Sequence, residues 1–244
     1  MIDTERQIKN LTKIVKGRTV AILLPAPSIA TLDKRILEFT SDICWTTVND
    51  YWVLEDRILS QVGAQFEIVM RSAVECDVPN ERDDMLLNRG SLLVTETVSF
   101  HRGLNDYIEK YGGQIFFFTA DRSEEWQKHP DVDHPLHFFA QQSFAILLSI
   151  LSIGMPERII VFGGEGCVAE DPATYGAYGG YPQSDKRRLI NDTHLLNATW
   201  PTVQRNTCNL YNLVYPTIIN CTEKSYFTVF PKWDYDKVIE VING

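Results

Sequence analysis

Two apolar runs far apart in the chain each break into a turn of small residues. Thr19–Leu24 leads into Pro25-Ala26-Pro27-Ser28, and Arg158–Phe162 leads into Gly163-Gly164-Glu165-Gly166. Turns of this kind bring backbone N–H groups, hydroxyls and carboxylates to the carboxyl end of a strand, where open parallel sheets bind ligands. At the first turn, backbone N–H groups and the Ser28 hydroxyl suit an anion, or Ser28 simply caps the next helix. At the second, Glu165 suits a ribose or a cation, or else bonds the N–H groups of its own turn. Asn49-Asp50 ends another apolar run, Ile43–Val48. The Asn49 amide can read a base or ribose edge because it both donates and accepts, and it serves equally as a helix cap.

Further along, Gly163 to Gly180 hold six glycines together with Tyr175 and Tyr178, and Tyr181 follows. So long a glycine-rich stretch reads as a functional loop. Its tyrosine hydroxyls suit phosphate oxygens, or its rings anchor the loop. His194 follows in Asn191-Asp192-Thr193-His194. A loop histidine there is either a general base or a solvated surface residue. The segment His129-Pro130-Asp131-Val132-Asp133-His134-Pro135-Leu136-His137 has the composition of a metal cluster but matches no zinc spacing. It reads as a polar loop, and no metal site is expected. No G-x-G-x-x-G, P-loop or G-x-S-x-G motif occurs.

The elements that must position these residues follow from periodicity. Asp3 to Lys16 is a helix capped by Asp3 and stopped at Gly17. Strands are expected at Arg18–Leu24, Ile43–Val48, Phe66–Met70, Leu92–Val94, Ile115–Thr119, Arg158–Phe162 and near Pro216–Asn220. A helix capped by Ser28 should bury Leu32, Ile36 and Phe39. Others are expected around Trp52–Leu59, across the all-round apolar segment His137–Ile153, and at Asp236–Ile242. Residues Glu75–Arg89 read as a loop with a helical turn, and Ala120–Pro135 as a surface connection. Alternating strands and helices predict one α/β domain over residues 1–244, a Rossmann-like, mainly parallel sheet with helices on both faces.

Composition narrows the partners. The net charge of −9 repels a phosphate backbone, so nucleic acid is not an expected partner. Five cysteines without metal spacing read as core residues in a reducing compartment. No charged-then-apolar leader occurs, nor an apolar run of roughly 18 residues, so the expectation is a cytoplasmic protein with no transmembrane segment.

Over about residues 18 to 235 the chain resembles the MptE-like (DUF115) family. That pattern has a strand leading into G-P-S-L, here Pro25-Ala26-Pro27-Ser28-Ile29. A buried helix and a strand ending in G-x-D follow, here Phe144–Gly154 and Ile159–Gly166. The closing segment carries Asn, Ser and Phe-Pro, here Asn220, Ser225, Phe230 and Pro231. The layout is also similar to the bacterial sialyltransferases of glycosyltransferase family 42. That resemblance implies a nucleotide or nucleotide-sugar donor, CMP-activated above all, and a glycan or other small acceptor. Pro27, Ser28, Asn49, Gly163 and Glu165 would bind the nucleotide. Tyr175 and Tyr178 would hold the departing phosphate, and His194 would serve as base. Such a glycosyltransferase requires no metal cofactor. The alternatives are a pterin pyrophosphokinase of the MptE type, using ATP and Mg²⁺, and a non-catalytic nucleotide-binding module. Two departures stand out. Ala26 replaces a glycine, so φ must be negative there, and Gly164-Glu165 replaces the usual aspartate turn. Arg71 stands after the third strand, where paired carboxylates would hold Mg²⁺.

Overall fold

The computed structural model describes residues 2–39, 43–49, 51–71, 80–96, 104–121, 136–139, 143–166 and 186–243. Its strands are β1 (Thr19–Leu23), β2 (Ile43–Val48), β3 (Ile68–Arg71), β4 (Leu92–Glu96), β5 (Ile115–Asp121), β6 (His137–Phe139), β7 (Arg158–Phe162) and β8 (Thr217–Asn220). They form one sheet in the order β6-β5-β4-β3-β2-β1-β7-β8, and every described pairing is parallel. The expected Rossmann-like α/β fold is therefore present. From β1 the chain steps outward through β2 to β6, then returns to lay β7 on the other side of β1. The strand order thus reverses between β1 and β7, and a crevice opens at such a switch point beyond the carboxyl ends.

Strand residues alternate between two cores, as a sheet covered on both faces requires. Val20 and Ile22 pack with α1 (Thr4–Val15), α5 (Ser143–Ile153) and α6 (Lys186–Tyr211). Ala21 and Leu23 pack with α2 (Tyr51–Arg57), α3 (Glu81–Asn88), the end of α4 (Leu104–Tyr111) and α7 (Tyr235–Asn243). The α1 start is as expected, with the Asp3 carboxylate accepting the Arg6 N–H at 3.0 Å. Apolar α5 carries two buried serines, Ser149 and Ser152, past its first residue. Each hydroxyl bonds the carbonyl one turn back, Ser149 to Ala145 and Ser152 to Leu148.

Several elements differ from expectation. The chain after β1 forms two 3-10 turns, Pro27–Thr31 and Lys34–Phe39, rather than one helix. Ala26 occupies the capping position and no side chain caps it. Ser28 is not the cap, because Pro25 and Pro27 limit the chain to short turns. Buried Ile29, Ile36 and Leu37 supply the inward face, whereas Leu32 and Phe39 are only partly covered. His137–Phe139 is a strand beside β5, and the described helix spans Ser143–Ile153. Helix α4 stands where no helix was expected, and α3 is a full helix with an Asn80–Asp83 capping box. The 26-residue α6 also lay outside the expected elements.

Candidate functional site at the strand-order reversal

The two turns that opened the sequence reading meet here. β1 and β7 are neighbours, with Leu23 opposite Phe162. The Ser28 N–H donates to Glu165 Oε1 at 2.7 Å. This contact changes the expected role of the first turn. Its Ser28 amide does not wait for an anion, because the chain's own carboxylate already takes it. The other carboxylate oxygen, Oε2, is shielded from solvent and has no hydrogen-bond partner among the described residues.

Both turns are backbone-determined. Ala26 has φ −120°, as its Cβ demands. Gly163 has φ +78°, and a Cβ there would stand 2.5 Å from the Leu24 carbonyl oxygen. Only glycine satisfies both conditions, so β7 can bring its turn against the end of β1. Gly166 is also left-handed at φ +67°, and a Cβ on it would lie 3.0 Å from the Thr193 side chain.

Behind the second turn, β8 and the segment after it form a brace. Asn220 is fully buried at the end of β8. Its Nδ2 donates to the Gly164 carbonyl at 3.0 Å and to Ser225 Oγ at 2.8 Å. Ser225 Oγ also donates to the Gly164 carbonyl, at 2.5 Å. The Gly164 N–H donates to Thr222 Oγ1 at 2.9 Å, and the Tyr226 N–H to the Glu165 carbonyl at 2.6 Å. The Asn220 and Ser225 positions of the closing segment are therefore structural here, fixing the peptide that carries Glu165. Asn197 on α6 ties into the same segment, donating to the Tyr226 carbonyl and accepting the Thr228 N–H. Sequence reasoning missed Thr193, Asn197 and Thr222; the usable signal was the Asn220–Ser225 spacing.

Asn49 sits where expected, at the carboxyl end of β2 beside β1, and is buried. Its φ is +58°, a left-handed conformation that a residue with a Cβ rarely adopts outside turns and sites. Its N–H bonds the Met70 carbonyl at 2.7 Å, and its carbonyl accepts from the Tyr51 N–H at 2.7 Å. Ser28 and Asn49 thus share one sheet edge. Next to them, Arg71 ends β3 almost fully buried. Its Nε comes within 3.2 Å of Asp83 Oδ1, and burial pushes the Asp83 carboxyl up while Arg71 opposes that shift.

His194 lies in α6, not in a loop, on the exposed side of the helix. The preceding residue, Thr193, is buried against Gly166, so the helix sets His194 one position from the second turn. Tyr175, Tyr178 and Tyr181 lie outside the described residues, as do Asp50 and residues 129–135 of the His/Asp segment. Among the described residues no group of three His, Cys, Asp or Glu side chains is placed to hold a metal ion. No described helix is long and apolar enough to cross a membrane. Burial raises the thiols of Cys44, Cys208 and Cys221, the last to about 12, so none of these is a ready thiolate nucleophile.

No protein-family model matches the chain, and no curated protein matches it in sequence.

Proposed function

We propose that the protein is a nucleotide-binding transferase, a glycosyltransferase that uses a CMP-activated or other nucleotide sugar without a metal ion. One observation carries this reading. The turns after β1 and β7 meet at the strand-order reversal through Ser28 and Glu165, and a carboxylate oxygen there is left without a partner. A nucleotide lies across the 25–28 turn, with Asn49 on the neighbouring strand end reading the base or ribose. Tyr175 and Tyr178 stabilise the departing phosphate. His194 takes the acceptor hydroxyl proton, a role that suits an imidazole at neutral pH. The resemblance to the MptE-like family and to glycosyltransferase family 42 supports these assignments. Arg71 at the end of β3 favours the transferase over a Mg²⁺-dependent pyrophosphokinase, because a buried guanidinium there repels a second cation.

A thermal-shift panel of CMP, CDP, UDP, GDP and ATP, each with Mg²⁺ or EDTA, tests the reading. A ligand at about 100 times its Kd adds roughly 2.7 kcal/mol of stability. Stabilisation by a cytidine nucleotide in EDTA is expected. Stabilisation by ATP alone, and only with Mg²⁺, would favour the pyrophosphokinase. In a transfer assay His194→Ala should lower kcat by about 10²- to 10⁴-fold and leave nucleotide affinity nearly unchanged. Unchanged kcat would remove His194 from the mechanism.

A further inference from the structure

We propose that Arg82 and Trp52 form a stacking ledge for the base of the bound nucleotide, at the carboxyl ends of β2 and β3. This rests on the nucleotide reading above and adds where the base lies and what holds it.

The ledge is built from neighbouring elements. Trp52 belongs to α2, shortly after Asn49 at the end of β2, and is half-buried. Arg82 belongs to α3, which follows β3, and is exposed. The Arg82 guanidinium carbon lies 3.6 Å from the centroid of the Trp52 ring. At that distance the flat cation rests on the indole face. The pair is fixed from several sides. Tyr51 meets Trp52 edge-on, with ring centroids 5.7 Å apart. The buried Arg71 guanidinium lies 5.4 Å from the Trp52 ring centroid. The Arg82 N–H donates to Asn80 Oδ1 at 2.9 Å, and the Arg82 carbonyl accepts the Tyr51 hydroxyl at 2.7 Å.

The carboxylates beside Arg82 are engaged elsewhere. Asp83 pairs with Arg71 and accepts the Asn80 N–H. Asp84 accepts the Tyr107 hydroxyl at 2.7 Å. The Arg82 guanidinium has no hydrogen-bond or ion-pair partner among the described residues. One of its faces is covered by Trp52, and the other stands open to solvent. A guanidinium is planar, delocalised and weakly hydrated, so it stacks on a second flat π-system at small desolvation cost. Every base offers such a face, and a stacking ledge is open surface that needs no enclosed cavity. A phosphate would gain less here, because water and salt screen a lone exposed cation.

The sheet sets the direction of the nucleotide. Neighbouring strands stand about 4.8 Å apart, so the end of β3 lies roughly 10 Å from that of β1. With the base on the ledge, Asn49 at the end of β2 lies between it and the 25–28 turn. The sugar-phosphate then extends toward β1 and β7, where the transfer is proposed.

The test is calorimetric titration in EDTA. The tightest binder among CMP, UMP, AMP and GMP is carried from the wild type into Arg82→Lys and Arg82→Ala, alongside ribose 5-phosphate. Arg82 is exposed, so both variants should melt as the wild type does. Both should bind the nucleotide about 5- to 100-fold more weakly. Lysine keeps the charge and loses the plane, so it would rescue a purely electrostatic role. Nucleotide binding by Arg82→Lys within about fivefold of the wild type would overturn the proposal and leave the nucleotide reading standing. Ribose 5-phosphate has no base and should bind all three forms alike. A loss for it as large as for the nucleotide would assign Arg82 to the phosphate and overturn the proposal equally. If ribose 5-phosphate binds none of the forms, the base supplies the affinity and the nucleotide comparison decides. If none of the four nucleotides binds the wild type at millimolar concentration, the nucleotide reading fails and the ledge proposal with it.

Discussion

The two edges of the sheet solve the same problem in opposite ways. At the amino edge every named polar group closes on another. Arg18, just before β1, grips both Glu67 oxygens at 2.8 Å and also donates to the Ile14 carbonyl. Arg89 grips both Glu55 oxygens, Glu55 accepts the Phe66 N–H at 2.9 Å, and the Ser91 hydroxyl bonds the Phe66 carbonyl. The carboxyl edge at β1 and β7 is left incomplete. Glu165 keeps an oxygen without a partner among the described residues; left-handed backbone stands at both edges, in Gly163 and Asn49 here and in Gly17 and Met155 at the other. Buried polar groups are ordinarily satisfied, and strained backbone persists only where its surroundings enforce it. The amino edge closes the polar groups named above, whereas the turn after β7, where the proposed nucleotide site lies, leaves one carboxylate oxygen unpaired among the described residues.

Substitutions can break or sharpen this contrast. The largest effect is expected at the ion pair Arg71–Asp83, at the carboxyl end of β3, in which both side chains are almost fully buried. Arg71→Met strands a buried carboxylate and should cost about 3–5 kcal/mol at pH 7 by chemical denaturation. Burial raises the Asp83 pKa in the folded state above its unfolded value. Stability tied to its neutral form is complete below the ordinary carboxylate pKa and is lost as pH rises through the raised one. The Arg71→Met deficit should therefore shrink on acidification from pH 7. A deficit that does not change with pH would remove Asp83 as its cause.

Gly163→Ala should cost about 2–3 kcal/mol, from left-handed strain and the Leu24 contact, and should abolish nucleotide binding. Glu55→Ala should cost about 1–3 kcal/mol by freeing Arg89 and the Phe66 N–H, with nucleotide affinity unchanged. The smallest change in stability is expected for Ser28→Ala, within about 0.5 kcal/mol, with affinity falling about tenfold. A Glu55 variant that loses binding while Ser28→Ala keeps it would invert the contrast between the edges.

The strands were legible because each is a short apolar run with a clear stop. Ile43–Val48 came out at its observed bounds, and Arg18–Leu24 was one residue too long at each end. That both turns lie at the carboxyl edge followed from strand alternation and the rule for parallel sheets; that β1 and β7 are neighbours did not. The Ser28 amide's partner was not legible, because a contact from residue 28 to residue 165 exists only once β7 lies beside β1. Helix α6 was hidden by its composition. It carries Pro201 and many Asn and Thr residues, and its inward face is small beside its polar one. With α6 unread, His194 looked like a loop residue. His137–Phe139 merged into the helix that follows because both are apolar, and only pairing with β5 makes it a strand.

Hydrogen–deuterium exchange with and without CMP tests most directly whether the nucleotide sits at the strand-order reversal. Slowed exchange is expected in peptides covering residues 24–29 and 163–166 and at Asn49, with the amino-edge peptides around Arg18 and Phe66 unchanged. Protection elsewhere, with both turns exchanging as in the free protein, would contradict a nucleotide site between β1 and β7.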